Sequence, residues 1–143
     1  MCALFTLPAE PHVPGQNPRP DEAIFAAVKA AFGPDYVGQP EHSDPFRSGL
    51  VAFDTGYYWE AHELWEAVWL RLPPASRARQ VMQGLIQLAN AGLKHRMNRP
   101  DAAQKALARA DYAIIEGLRG CEGLVMGLHA DDIALRRDTV SAL

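Results

Sequence analysis

Cysteine is scarce in this chain. Cys2 and Cys121 are the only two in 143 residues, which excludes a disulfide framework and a CxxC metal knuckle. A large charge of one sign is also missing. The formal net charge is -3, so there is no electrostatic drive toward nucleic acid or an anionic membrane, and neither is expected as a partner. No run approaches the ~18 apolar residues that a membrane-spanning helix needs. Strand signals are nearly absent, because no segment sustains a period-2 alternation. Residues 1–20 lack the basic-then-apolar order of a signal peptide. They carry Pro8, Pro11, Pro14, Pro18 and Pro20 instead, and read as an extended arm of a cytoplasmic protein. There is no glycine-rich phosphate loop, no GxSxG elbow and no Cys-His nucleophile arrangement, and Cys121 has no activating neighbour.

What remains is an ordinary globular composition, 48% apolar and 22% charged. Its length suits one domain that folds without a staple. We read residues 21–143 as a single helical domain. Asp21–Phe32 is Ala-rich, starts with acids and stops at Gly33-Pro34. Tyr36–Ser43 reads as a loop. Asp44 is placed to cap the next helix, with Pro45 at its first position, and that helix breaks near Gly56. A helix from about Tyr57 to Leu70 ends at Pro73-Pro74. Ser76 caps the longest helix, Arg77 to about Met97, and Pro100 opens another that runs to Gly120. Cys121–His129 reads as partly helical, and Asp131 or Asp132 starts a short last helix through Leu135. The expected fold is all-α: a compact bundle of five or six helices with short loops and a central antiparallel helix hairpin.

The segment from Tyr57 to Trp69 concentrates the chemistry. It holds all three Trp, two of the four Tyr, His62, and the acids Glu60, Glu63 and Glu66. On a helix, Tyr57, Ala61, Leu64 and Val68 form one apolar stripe. Tyr58, His62, Trp65 and Trp69 form a second, with Glu66 adjoining His62, while Glu63 and Glu60 lie further round. The long helix carries Val81, Met82, Leu85, Ile86, Leu88, Ala89 and Leu93 on one face. Gln80, Gln83, Gln87, Asn90 and Lys94 lie on the other, with Gly84 and Ala91 among them. If the two helices form a hairpin about Pro74, residues equidistant from that point share a height. Glu66 is then level with Met82 and Gln83, and His62 with Ile86 and Gln87.

A His and a carboxylate four residues apart share one helix face, and three readings are open. In the first, His62 and Glu66 are metal ligands with Gln87, Gln83 or Glu63 completing the shell, and Glu63 acts as general base, like the Glu of a HExxH zinc site. Such a donor set suits Zn, Mn or Fe. In the second, the same residues form a buried His–Glu–Gln network, or an aromatic–amide cleft of Tyr58, Trp65, Trp69 and Gln83 that takes a small molecule or a partner helix. In the third, the polar stripe of the long helix is a homodimer interface. His12, His42 and His129 fall in loops or ends and receive no role. Geometry separates the first two readings: ligands converge on a common point, whereas a network brings atoms to ~2.7–3.0 Å.

The run from Phe53 to Trp69, followed by Gln83-Gly84-Leu85-Ile86-Gln87-Leu88-Ala89, resembles the domain of unknown function 309 family. The resemblance rests on a G-x-[YF]-[YFW]-E-A-H-E-x-x-E-x-x-W helix followed by a Q-G-L-I-Q helix, and covers about Phe46 to Leu107. It implies a compact helical fold and a general label of metal-dependent hydrolase, with His62, Glu63, Glu66, Gln83 and Gln87 as functional candidates. It also implies a polar or basic residue late in the second helix, a place that Lys94 or His95 would fill.

Overall fold

Proline and capping chemistry set most of the helix starts. The structure, a computed structural model, describes residues 5–143; Cys2 and its neighbours lie outside the described residues. Six helices follow in order: α1 (Ala23–Ala30), α2 (Asp44–Asp54), α3 (Tyr58–Trp69), α4 (Arg77–Arg96), α5 (Pro100–Leu118) and α6 (Ala130–Ser141). Pro45 and Pro100 stand in the first turns of α2 and α5, where a missing N–H costs nothing. Ser76 caps α4, its Oγ accepting the Arg79 N–H at 3.1 Å. At α2 the cap position falls to Ser43 and not to Asp44, which is the first helical residue. A 3₁₀ turn at Pro40–His42 fills part of the expected loop and supplies the carbonyl to which the Ser43 hydroxyl donates.

The C-terminal third departs most from expectation. Residues 121–129 are not helical. Val125 and Leu128 exchange two N–H···O bonds of 3.0 Å across a tight turn, with Met126 and Gly127 both at positive φ. That conformation favours glycine and breaks a helix. α6 then runs well past Leu135 to Ser141, because tertiary contacts hold it. Arg136 pairs with Asp54 at 2.8 Å, Arg137 pairs with Asp111 at 3.0 Å, and Ile133 and Val140 are buried.

α4 is the centre of the bundle and takes part in two antiparallel hairpins. One, with α3, was expected. The other, with α5, is the more extensive. Small residues explain it. Ala106, Ala110 and Ala113 are buried on α5, and a Cβ added at Gly84 of α4 would stand 2.5 Å from Ile114 Cγ1. Close approach of two backbones needs such small residues. The face of α4 that holds Gly84 and Ala91 is therefore covered by α5, and those two residues are buried. They are not part of a free stripe for a second copy of the chain. No helix among the described residues is long and apolar enough to cross a membrane.

α2 meets α3 through Trp65, which is fully buried. Its indole N–H donates to the Phe46 carbonyl at 3.2 Å, and Phe53 stacks on it at 5.7 Å between centroids. Gly49 permits the contact: a Cβ there would collide with Trp65 Nε1 and stand 2.9 Å from Cε2. Overpacking of this kind forces helices apart. Gly49→Ala is expected to destabilise the protein by about 3 kcal/mol, read as a lowered urea midpoint; an unchanged midpoint would show that α2 and α3 can separate freely.

Candidate metal centre

α3 is buried on more than one side, and its polar residues are sorted by the angle at which they leave the helix. Ala61, Leu64, Trp65 and Val68 are in the core. Tyr58 joins them, 4% exposed, edge-on to Phe53 with ring centroids 5.3 Å apart. The structure thus places Tyr58 and Trp65 in the core and not on a cleft wall. Concave surface occurs instead between the N-terminal arm and α1, lined by Phe5, Leu7, Ile24, Val28 and Asp44.

His62, Glu63 and Glu66 come together on the partly open side of α3. His62 Nε2 lies 3.7 Å from Glu66 Oε1, and Nδ1 lies 4.0 Å from Glu63 Oε1. One donor atom from each residue fits within a set in which all separations are below 4.8 Å. Lys29, reaching from α1, holds the other Glu63 oxygen at 3.3 Å. The side chains of His62 and Glu66 are 28% and 50% exposed, which keeps them in reach of solvent. These separations are too long for direct hydrogen bonds. With one ring nitrogen of His62 in the set, the separations reach up to 4.8 Å, against ~3.4 Å between donors on a four-coordinate ion with ~2.1 Å bonds, so the side chains would have to rotate inward to share an ion. One imidazole and two carboxylates are a donor set suited to a borderline divalent cation.

One contact between α3 and α4 agrees with a count from Pro74. Trp69 and Arg79 are equidistant from it, and the Arg79 guanidinium lies 4.0 Å over the Trp69 ring. Gln83 and Gln87 sit one and two turns further along α4, and both are half-buried. Neither has a hydrogen bond to the His62 cluster. Gln87 keeps its side-chain oxygen buried and without a partner. Lys94 and His95 are half-buried near the far end of α4, and His95 lines a separate small cavity with α5 and α6.

Glu60 is the residue whose surroundings the sequence concealed. It is fully buried. Its Oε2 accepts the backbone N–H of His12 at 2.9 Å, and its Oε1 is buried without a partner. Burial pushes its carboxyl above the usual carboxylate range, and the His12 N–H opposes that rise. Residues 8–17 of the arm are organised around this point. The Tyr57 hydroxyl donates to the Pro8 carbonyl at 2.8 Å, the His12 ring stands edge-on to Trp59 with centroids 4.8 Å apart, and Asn17 Oδ1 accepts the Val13 N–H at 2.9 Å. His12, expected to have no role, is 7% exposed. One signal was present in the sequence: Glu60 lies three residues after Tyr57 and four before Leu64, beside the core stripe.

The family model for a domain of unknown function (DUF309) matches residues 46–106, from α2 into α5. Over that stretch the chain is similar to this family. No curated protein and no solved structure matches the chain.

Two outcomes are expected from these contacts. Glu60→Ala leaves the His12 N–H without its acceptor and opens a cavity, at a cost of about 2–4 kcal/mol; denaturant titration together with faster amide exchange at His12 would register it. Burial also raises the Tyr58 hydroxyl above its ordinary value, against the pull of the Arg96 guanidinium 5.3 Å from its ring. The folded chain then holds this proton more tightly than the unfolded chain does. That contribution is present below about pH 10 and is lost as pH rises through the folded value. The melting temperature of Tyr58→Phe should therefore fall less steeply above about pH 10 than that of wild type; parallel curves would rule Tyr58 out as the source.

Proposed function

We propose that the protein is a metal-dependent hydrolase, with His62 and Glu66 holding a divalent ion (Zn, Mn or Fe) and Glu63 acting as general base. The observation that carries this reading is the convergence of the three donors within 4.8 Å, combined with the lack of a direct hydrogen bond between them. A closed structural network would have brought His62 and Glu66 into contact, and 3.7 Å is too far. When bound, such an ion supplies Lewis acidity and makes water a nucleophile near neutral pH.

The chain's own residues then divide the work. His62 Nε2 and Glu66 Oε1, 3.7 Å apart, would hold the ion. Lys29 restrains Glu63 through Oε2, which leaves Oε1 to accept a proton from the attacking water. Gln87, expected as a further ligand, keeps a buried side-chain oxygen without a partner on α4. A second role for Glu63 has its own support, since its Oε1 lies toward His62 Nδ1. A carboxylate there orients a ligating imidazole and raises its basicity.

Elemental analysis and calorimetric titration with Zn, Mn and Fe test the reading. Wild type is expected to take up close to one ion per chain, and His62→Ala to lose it. His62 makes no hydrogen bond among the described residues, so His62→Ala should stay within about 1 kcal/mol of wild type in stability. Glu63→Gln separates the two roles. Retained metal with lost turnover marks a base, whereas metal affinity weakened about 10–100-fold marks an orienting partner. No metal in wild type from any of the three ions would sink the hydrolase and point to a non-catalytic helical module.

A further inference from the structure

Arg79 is an arginine without a carboxylate. Arg136, Arg137, Arg119 and Arg19 each pair with an acid on the surface of the bundle, and Arg77 donates to the Gly117 and Arg119 carbonyls at the end of α5. Arg79 is half-buried, its Nε is buried with no partner, and its guanidinium donates to nothing among the described residues. Burying a guanidinium N–H without an acceptor is costly. Stacking 4.0 Å over Trp69 offsets part of that cost and holds the guanidinium plane in one orientation.

Its position gives the orientation a use. Trp69 lies on the same face of α3 as His62 and Glu66, three residues after Glu66 and seven after His62. The helix rise puts it about 4.5 Å and about 10.5 Å beyond them along the axis. The fork of Arg79 therefore sits at one end of a seam whose other end is the His62 cluster. Glu66, the nearest carboxylate along that seam, does not pair with it.

We propose that Arg79, stacked on Trp69, anchors an oxyanion of the substrate (a carboxylate or a phosphate) remote from the bond that is broken. This rests on the hydrolase reading for the word substrate, and on the Arg79–Trp69 geometry alone for the anion. The spacing implies a small molecule whose anionic group stands roughly 5–10 Å from the scissile bond. A guanidinium fork suits either oxyanion by two parallel N–H···O bonds.

The experiment uses metal-free full-length protein in chelator at constant ionic strength. The tryptophan indole N–H signals are followed by NMR, with Trp69 identified by Trp69→Phe, while inorganic phosphate and acetate are titrated separately. A saturable shift of the Trp69 signal is expected, its apparent affinity weakened about tenfold in Arg79→Gln, the loss of one charge-assisted site. Arg79→Lys keeps a point charge and should retain phosphate better than acetate, which also covers failure of the Gln variant to fold. Arg71→Gln, at an exposed arginine, should leave both titrations unchanged. Whichever anion gives the larger response names the source of the oxyanion. No saturable shift in wild type, or an equal shift in Arg79→Gln, overturns the proposal. Because no metal is present, an anion response beside failed metal uptake would sink the hydrolase reading alone.

Discussion

Trp65 is the side chain on which the bundle is assembled. Its indole ring lies against the bare backbone of Gly49, donates to the Phe46 carbonyl and stacks on Phe53. Those contacts set both the distance and the angle between α2 and α3. A helix is rigid over three turns, so fixing Trp65 also fixes the direction in which every other residue of α3 leaves the axis. His62, Glu63 and Glu66 are aimed toward the partly open side because Trp65 and Leu64 are aimed inward.

The candidate site gains from this arrangement. Three donors on little more than one turn of a single helix need no loop to bring them together, and their spacing follows from helix pitch. The neighbours that border them come from elsewhere. Lys29 arrives from α1 to hold Glu63, and Arg79 arrives from α4 to cover Trp69. A site built on packed helices keeps its geometry better than one carried by loops. Glu60, on the far side of the same helix, is the counterpart: a buried acid that collects the arm by accepting the His12 N–H. One short motif thus carries a residue that stays partly open to solvent and another turned inward under the arm.

How far these features could be read in advance depended on their range. Helix starts at Pro45, Ser76 and Pro100 were legible, because capping and the missing proline N–H act within a turn. The His62–Glu63–Glu66 grouping was legible for the same reason. The length of α6 was not, since Arg136 and Arg137 are held by Asp54 and Asp111, residues far away in the chain. The turn at Val125–Leu128 was missed because it is defined by backbone bonds between residues with no strong turn signature apart from Gly127. Tyr58 and Trp65 share the His62 stripe on a helical wheel, yet they are buried while His62 stays partly exposed. The wheel reports angle on one helix and not which neighbour covers it.

The sequence by itself determined an all-helical chain, the approximate starts of most of its helices, and a one-turn group of metal-capable donors. All of these are set by interactions within a few residues. Tertiary structure alone decided that Glu60 is buried under the arm, that Lys29 restrains Glu63, that α5 closes the small-residue face of α4, and that Arg79 stands unpaired on Trp69. Each depends on which surfaces meet across the bundle, and burial and pairing are properties of that meeting, not of any one segment.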